Sequence, residues 1–112
     1  SRLYHEEKYL MDTHTAVAHT VLRKYKKESK DYKQSLIIST ASPYKFPRSI
    51  CSALGIEVEN YNDFQVLDIL NSYTKIPIPK NLRNLDSQPI LHRAVCQKED
   101  MKKELLSFLY ER

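Results

Sequence analysis

The segment Ser39-Thr40-Ala41-Ser42-Pro43-Tyr44-Lys45-Phe46-Pro47 gathers several hydroxyls and one lysine into a short stretch. Hydroxyls donate and accept hydrogen bonds without carrying charge, and a lysine ammonium offsets an anion. The stretch follows the apolar run Ser35-Leu36-Ile37-Ile38-Ser39 and precedes a segment that suits a helix. Ligands of open α/β sheets bind at the carboxyl ends of strands, where this loop would stand. The competing reading is a polar loop whose Ser and Thr side chains cap the next helix. The residue types suit both.

His14 and Thr15 form a second group, at the expected start of a helix. A helix N-terminus offers free amides and a positive dipole end, which suit an anion. A plain capping segment, with Asp12 or Thr13 as the cap, accounts for the same residues. His5, His19 and His92 add no metal set. His14 and His19 miss the i, i+4 spacing that puts two ligands on one helical face, so no metal is expected.

Arg23 to Lys33 is basic, with Tyr25 and Tyr32 interleaved. Tyrosines among cations can stack on bases, which gives the alternative function of a small basic module binding nucleic acid. Against it stand the modest net charge of +4 and the lack of any nucleic-acid motif around the run. A solvated helix end followed by a loop accounts for it, and no nucleic acid is expected.

Composition excludes other classes. Gly55 is the only glycine, so no glycine-rich phosphate cradle can form within this chain. Cys51 and Cys96 make neither a zinc pair nor a disulfide framework. Both are expected to be buried free thiols of a reducing compartment. No stretch nears the roughly 18 apolar residues of a membrane span, and no secretory leader is visible. The chain opens at Ser1, which suits a piece of a longer protein. Its 112 residues, 41% apolar and 29% charged, are enough for one domain with a real core.

Pattern gives the elements that hold these residues. Tyr4 to Leu10 suits a short helix. Ala16, Val17, Val21 and Tyr25 mark the apolar stripe of a longer one, with Lys26 and Lys27 favourable at its C-terminus. Leu36 to Ile38 is expected as a strand buried on both faces. Pro47 suits a helical first turn, Ile50, Cys51 and Leu54 its inner face, and Gly55 its end. Asn62 and Gln65 resemble a capping box, with Phe64, Leu67, Leu70 and Tyr73 as that helix's buried side. Ile76-Pro77-Ile78-Pro79 reads as an extended linker, and Pro79 as the start of a short helix through Leu82 and Leu85. Gln88 to Val95 suits either a strand or an extended loop. Met101, Leu105, Phe108 and Leu109 fall on one face of a last helix. The inventory is α/β, with one buried strand and four or five helices. A lone strand cannot satisfy its own edges, so its neighbours are expected from elsewhere in a longer polypeptide. Alone, the chain is expected to self-associate through Leu36 to Ile38.

Two segments carry a family resemblance. Asp12-Thr13-His14-Thr15-Ala16-Val17-Ala18 resembles the Asp-Pro-His-Thr-Ala segment of threonine synthases. Ile38-Ser39-Thr40-Ala41-Ser42-Pro43-Tyr44-Lys45-Phe46 resembles their Ser/Gly-Thr-Ala-His-Pro-x-Lys-Phe segment. Thr13 stands where the family often has Pro, and Ser42 where it often has His. The resemblance implies the C-terminal segment of a fold-type II, pyridoxal-phosphate-dependent lyase. That enzyme converts O-phosphohomoserine and water to L-threonine and phosphate, in the cytoplasm. The family's Schiff-base lysine and phosphate loop lie upstream of the matching region, so the piece alone is expected to be inactive. By the same resemblance Thr40 lies beside the cofactor's ring nitrogen. His14, Thr15 and Lys45 lie near the substrate or its phosphate. None of these is implied to be catalytic.

Overall fold

A computed structural model describes residues 2–110. Its helices are α1 (Arg2–Glu7), α2 (Thr13–Ser29), α3 (Pro47–Leu54), α4 (Asp63–Thr74) and α5 (Met101–Tyr110). Short 3₁₀ turns form at Pro43–Lys45, Leu85–Ser87 and Lys98–Asp100. The expected first helix is present but stops early, where Lys8 turns to φ 56°.

The core is small and sits between α3 and α4. Pro47 opens α3, where a missing N–H costs nothing. Gly55 closes it at φ 76°, its N–H donating to the Cys51 and Ser52 carbonyls, a turn that favours glycine. The capping box at α4 is complete: Asn62 accepts from the Gln65 amide and Gln65 from the Asn62 amide, both at 2.9 Å. Ile50 and Cys51 of α3 pack with Val66, Leu67 and Leu70 of α4, closed off by Tyr44 and Val58. Burial of Val66 and exposure of Phe64 and Tyr73 correct the face expected for α4. Phe64 and Tyr73 lie toward its outer side, leaving Val66, Leu67, Leu70 and Thr74 inward.

Polar pins fix this unit. The Tyr44 hydroxyl donates to the Ile76 carbonyl at 2.5 Å, and Asn71 Nδ2 donates to the same oxygen at 2.6 Å. That carbonyl belongs to the Ile76 to Pro79 linker, which forms no helix or strand. Burial pushes the Tyr44 phenol above its usual range, so it stays protonated and able to donate. Arg48 of α3 donates to Asp63 Oδ1 (2.7 Å), the Val58 carbonyl (3.0 Å) and the Tyr61 carbonyl (2.5 Å). One planar guanidinium thereby joins α3 to the loop and first turn of α4.

The strand expected at Leu36 to Ile38 does not form, and there is no strand among the described residues. Residues 30–42 run as irregular backbone, with Leu36 88% and Ile38 75% exposed. The α/β expectation is corrected to all-α among the described residues. The reason is physical: a strand's amides and carbonyls need a neighbouring strand, and this chain supplies none. Pro79 begins a turn rather than a helix, with the Leu82 and Arg83 amides donating to its carbonyl. Gln88 to Val95 is an exposed loop without regular structure, and the apolar face of α5 is largely uncovered. The radius of gyration is 19.3 Å, against about 13 Å for a compact domain of this length.

Candidate functional site

Asp12 is the centre of the site. It is an N-cap in extended conformation and only 1% exposed. Its Oδ1 accepts from the His14 amide at 2.9 Å and the Thr15 amide at 3.2 Å. Its Oδ2 accepts from the Thr15 hydroxyl, and from the Ser39 hydroxyl at 3.3 Å. Thr15 Oγ1 and Ser39 Oγ are themselves 3.1 Å apart. Four donors thus converge on a carboxylate with about four lone-pair sites. The Thr15 hydroxyl, above all, holds the Asp12 carboxyl at about 2, below its ordinary 3.8, against the opposing effect of burial. Asp12 is therefore ionised throughout the physiological range and has no lone pair left for a substrate proton.

Asp12 takes the His14 and Thr15 amides, so at those two positions the start of α2 is capped by its own chain. His14 lies outside the cluster, with its side chain 65% exposed and Nδ1 3.5 Å from Asp12 Oδ1. Its ring stands 5.6 Å from that of Phe46. Lys45 Nζ lies 5.5 Å from the same Phe46 ring, an exposed cation–π contact. Ser42 accepts from the Tyr44 amide at 3.2 Å and starts the 3₁₀ turn, so part of the hydroxyl-rich segment does act as a cap.

Of the residues singled out from sequence, Thr15 lies inside the Asp12 cluster, while His14 and Lys45 flank Phe46 on the surface. Thr40 directly follows Ser39 and is exposed, and its hydroxyl has no partner among the described residues. Two contributors escape the sequence pattern as site residues. Ser39 ties the extended segment to α2, and Phe46 is the shared platform for His14 and Lys45. No local signal marks Ser39 as Asp12's partner, because they meet across 27 positions.

A family profile described as "Threonine synthase, C-terminal" matches residues 15–103. The chain belongs to the threonine synthase C-terminal family. It is 39% identical over 79 residues to the mouse (Mus musculus) protein "Threonine synthase-like 1". The match covers 70% of this chain and 10% of that protein, so the chain spans about a tenth of this curated relative. No solved structure matches. The family region takes in Thr15, Ser39, Thr40 and Lys45 and begins just past Asp12 and His14.

Other residues fall outside the site. Cys51 is buried and its thiol pushed above the usual range by burial, as a core residue should be. Cys96 is exposed, correcting the expectation that both thiols are buried. It lies in the loop before α5, which no element covers. Among the described residues no group of His, Cys, Asp and Glu is arranged to hold a metal, and no helix is long and apolar enough to cross a membrane. In the Arg23 to Lys33 run, Lys26 Nζ donates to the Lys33 carbonyl at 2.8 Å and the Tyr25 hydroxyl to Asp31 at 3.5 Å. These bonds close the end of α2 around Lys30, itself at φ 57°.

Proposed function

We propose that this chain is the C-terminal part of a cytoplasmic, pyridoxal-phosphate-dependent threonine synthase, acting on O-phosphohomoserine and water to give L-threonine and phosphate. Its contribution is one wall of the cofactor site, while the Schiff-base lysine and the phosphate loop come from the rest of the polypeptide. The observation that carries this reading is Thr40. It lies inside the family match, on a segment tied to α2 at Ser39, with its hydroxyl open and unpartnered among the described residues.

The residues fit one edge of the cofactor and no more. A threonine hydroxyl can meet the ring nitrogen as a neutral dipole. Unlike a carboxylate, it gives no charge to hold a proton there. A phosphate cradle has no counterpart in this chain, whose single glycine closes a helix. The bound cofactor supplies the activation of substrate bonds for elimination and replacement. The role of this chain is to orient it at the ring nitrogen, with Lys45 near enough to Phe46 and His14 to offset anionic charge at the same surface. The exposed run Ser35 to Ser39 receives its flanking strands from the remainder of the polypeptide. Alone, the 112-residue chain is inactive and self-associates through Leu36 to Ile38.

The test is a set of Thr40 variants in the complete protein. Thr40→Ser keeps the hydroxyl and retains most activity. Thr40→Ala lowers turnover roughly ten- to a hundredfold, the effect of about 1–3 kcal/mol lost in the transition state, and shifts the cofactor absorption spectrum. Thr40→Asp favours a protonated ring and changes the ratio of turnover to side reactions. Unchanged turnover and spectrum in Thr40→Ala, with only a lower melting temperature, would remove Thr40 from the site. A stable cofactor absorption band on the isolated chain would contradict the division of labour.

A further inference from the structure

We infer that Asp12 and Ser39 are positioning residues, a latch that holds the extended segment on the N-terminus of α2 and so fixes where the Thr40 hydroxyl stands. The functional half of this inference rests on the reading of Thr40 given above. The latch itself does not.

Among the described residues the irregular backbone between 30 and 42 has no ladder to hold it, and strands that the rest of the polypeptide adds beside Leu36 to Ile38 position the run along a sheet without tying its end to α2. Its first part is tied locally, by Lys26 to the Lys33 carbonyl and by Asp31 to the Lys33 amide. Beyond Ser35, among the described residues, the hydrogen bonds reaching back to α2 are those of Ser39. Leu36 and Ile38 are exposed and Ile37 is half-buried, while Tyr44, four residues past Thr40, is buried. Between these, Ser39 is the hydrogen-bonded tie next to Thr40.

The chemistry of Asp12 suits this task and little else. One oxygen is filled by two backbone amides and so is fixed by the helix. The other faces two hydroxyls, each with a single proton to give. Thr15 comes from the helix and Ser39 from the segment, so the second oxygen joins the two elements. A carboxylate accepts both protons, and bonds to an ionised acceptor are stronger than those to a neutral one. The anchor is rigid as well as charged, because Asp12 and Thr15 are both buried. A positional error at Ser39 passes to Thr40 through one peptide unit, which is planar and stiff.

Two measurements test the latch. The first uses the 112-residue chain with spin labels on V17C and I38C in a C96S background, at exposed sites on α2 and the segment, diluted into excess unlabelled chain so that only distances within one molecule are read. The expected result is one narrow distance distribution, broadened by S39A and restored by S39T. An equally narrow distribution in S39A would overturn the latch. The second uses the complete protein. S39A is expected to lower turnover roughly three- to tenfold, the effect of losing one ordinary hydrogen bond, with a shifted cofactor spectrum and with S39T near normal. Since Ser39 acts through Thr40, the S39A/T40A double variant should be no worse than T40A. Full additivity of the two losses would overturn the positioning role. If T40A alone leaves turnover and spectrum unchanged, the proposed function fails, while the spin-label distances still decide the latch.

Discussion

α2 and α4 make an instructive pair. α2 is 17 residues long and buries only Thr15; α4 is 12 residues long and buries Val66, Leu67, Leu70 and Thr74. Both carry an apolar stripe. On α4 the stripe meets α3 and becomes a core. On α2 Val17, Val21 and Tyr25 stay more than half exposed. An apolar face thus states that a surface is to be covered, but not that its own chain does the covering. Few monomers leave so much apolar surface bare without a partner for it.

The contrast between the helices is sharpest under truncation. Leu70→Ala should destabilise the chain by about 2–5 kcal/mol, as a cavity in a closed core does. Val21→Ala should change stability by less than about 0.5 kcal/mol. Denaturant titration followed by circular dichroism measures both. Equal losses would mean that α2 is covered in solution, by a second copy or by its own chain. In the complete protein the Val21 change should grow if α2 packs on the rest of the polypeptide.

Arg48 gives the next largest effect. It serves the α3–α4 unit alone, so Arg48→Ala should cost roughly 1.5–3 kcal/mol through its two backbone carbonyls. The exposed pair with Asp63 adds little. The Asp63→Ala control, read in the same titration, should therefore be close to neutral.

Acid separates the two helices differently. The carboxyl of Asp12 lies at about 2 in the folded chain, below its ordinary 3.8. A depressed carboxylate stabilises the fold above its unfolded value, and that contribution is lost as pH falls from about 4 through 2. The α2 cap and its latch should loosen in that window, while the apolar contacts of Ile50, Val66, Leu67 and Leu70 between α3 and α4 carry no charge to lose and persist. The pH dependence of the spin-label distance between α2 and residue 38, compared with that in D12N, checks this. A wild-type distribution that stays narrow to pH of about 2 would contradict it.

The smallest expected effect is a gain. Lys30 closes α2 at φ 57° and Lys75 closes α4 at φ 60°, a region costly for side chains other than glycine. Lys75→Gly should stabilise the chain by roughly 0.5–1 kcal/mol. Lys30→Gly should give less, because the end of α2 is held by no tertiary contact that a global unfolding measurement reports.

The local parts of this structure are legible in the residues. A cap at Asp12 or Thr13, Pro47 and Gly55 as the ends of α3, and Asn62 with Gln65 all depend on neighbours within a few positions. The features that are not legible need distant partners. Leu36 to Ile38 has the composition of a buried strand, but pairing decides whether a strand exists, and no pairing partner lies in this chain. Spacing alone turns Phe64 and Tyr73 inward; the true face depends on where α3 approaches. At the site, Thr15 and His14 can be placed beside the Asp12 cap, whereas the Asp12–Ser39 contact joins segments that sequence spacing cannot align.

The two thiols turn this unevenness into a clock. Thiolate chemistry needs access as well as ionisation. Cys96, exposed in the open loop, should react with an aromatic disulfide in a fast phase that needs no opening of the fold. Cys51, sealed between α3 and α4, should react only when that unit opens, and its slow phase would time the opening events of the core.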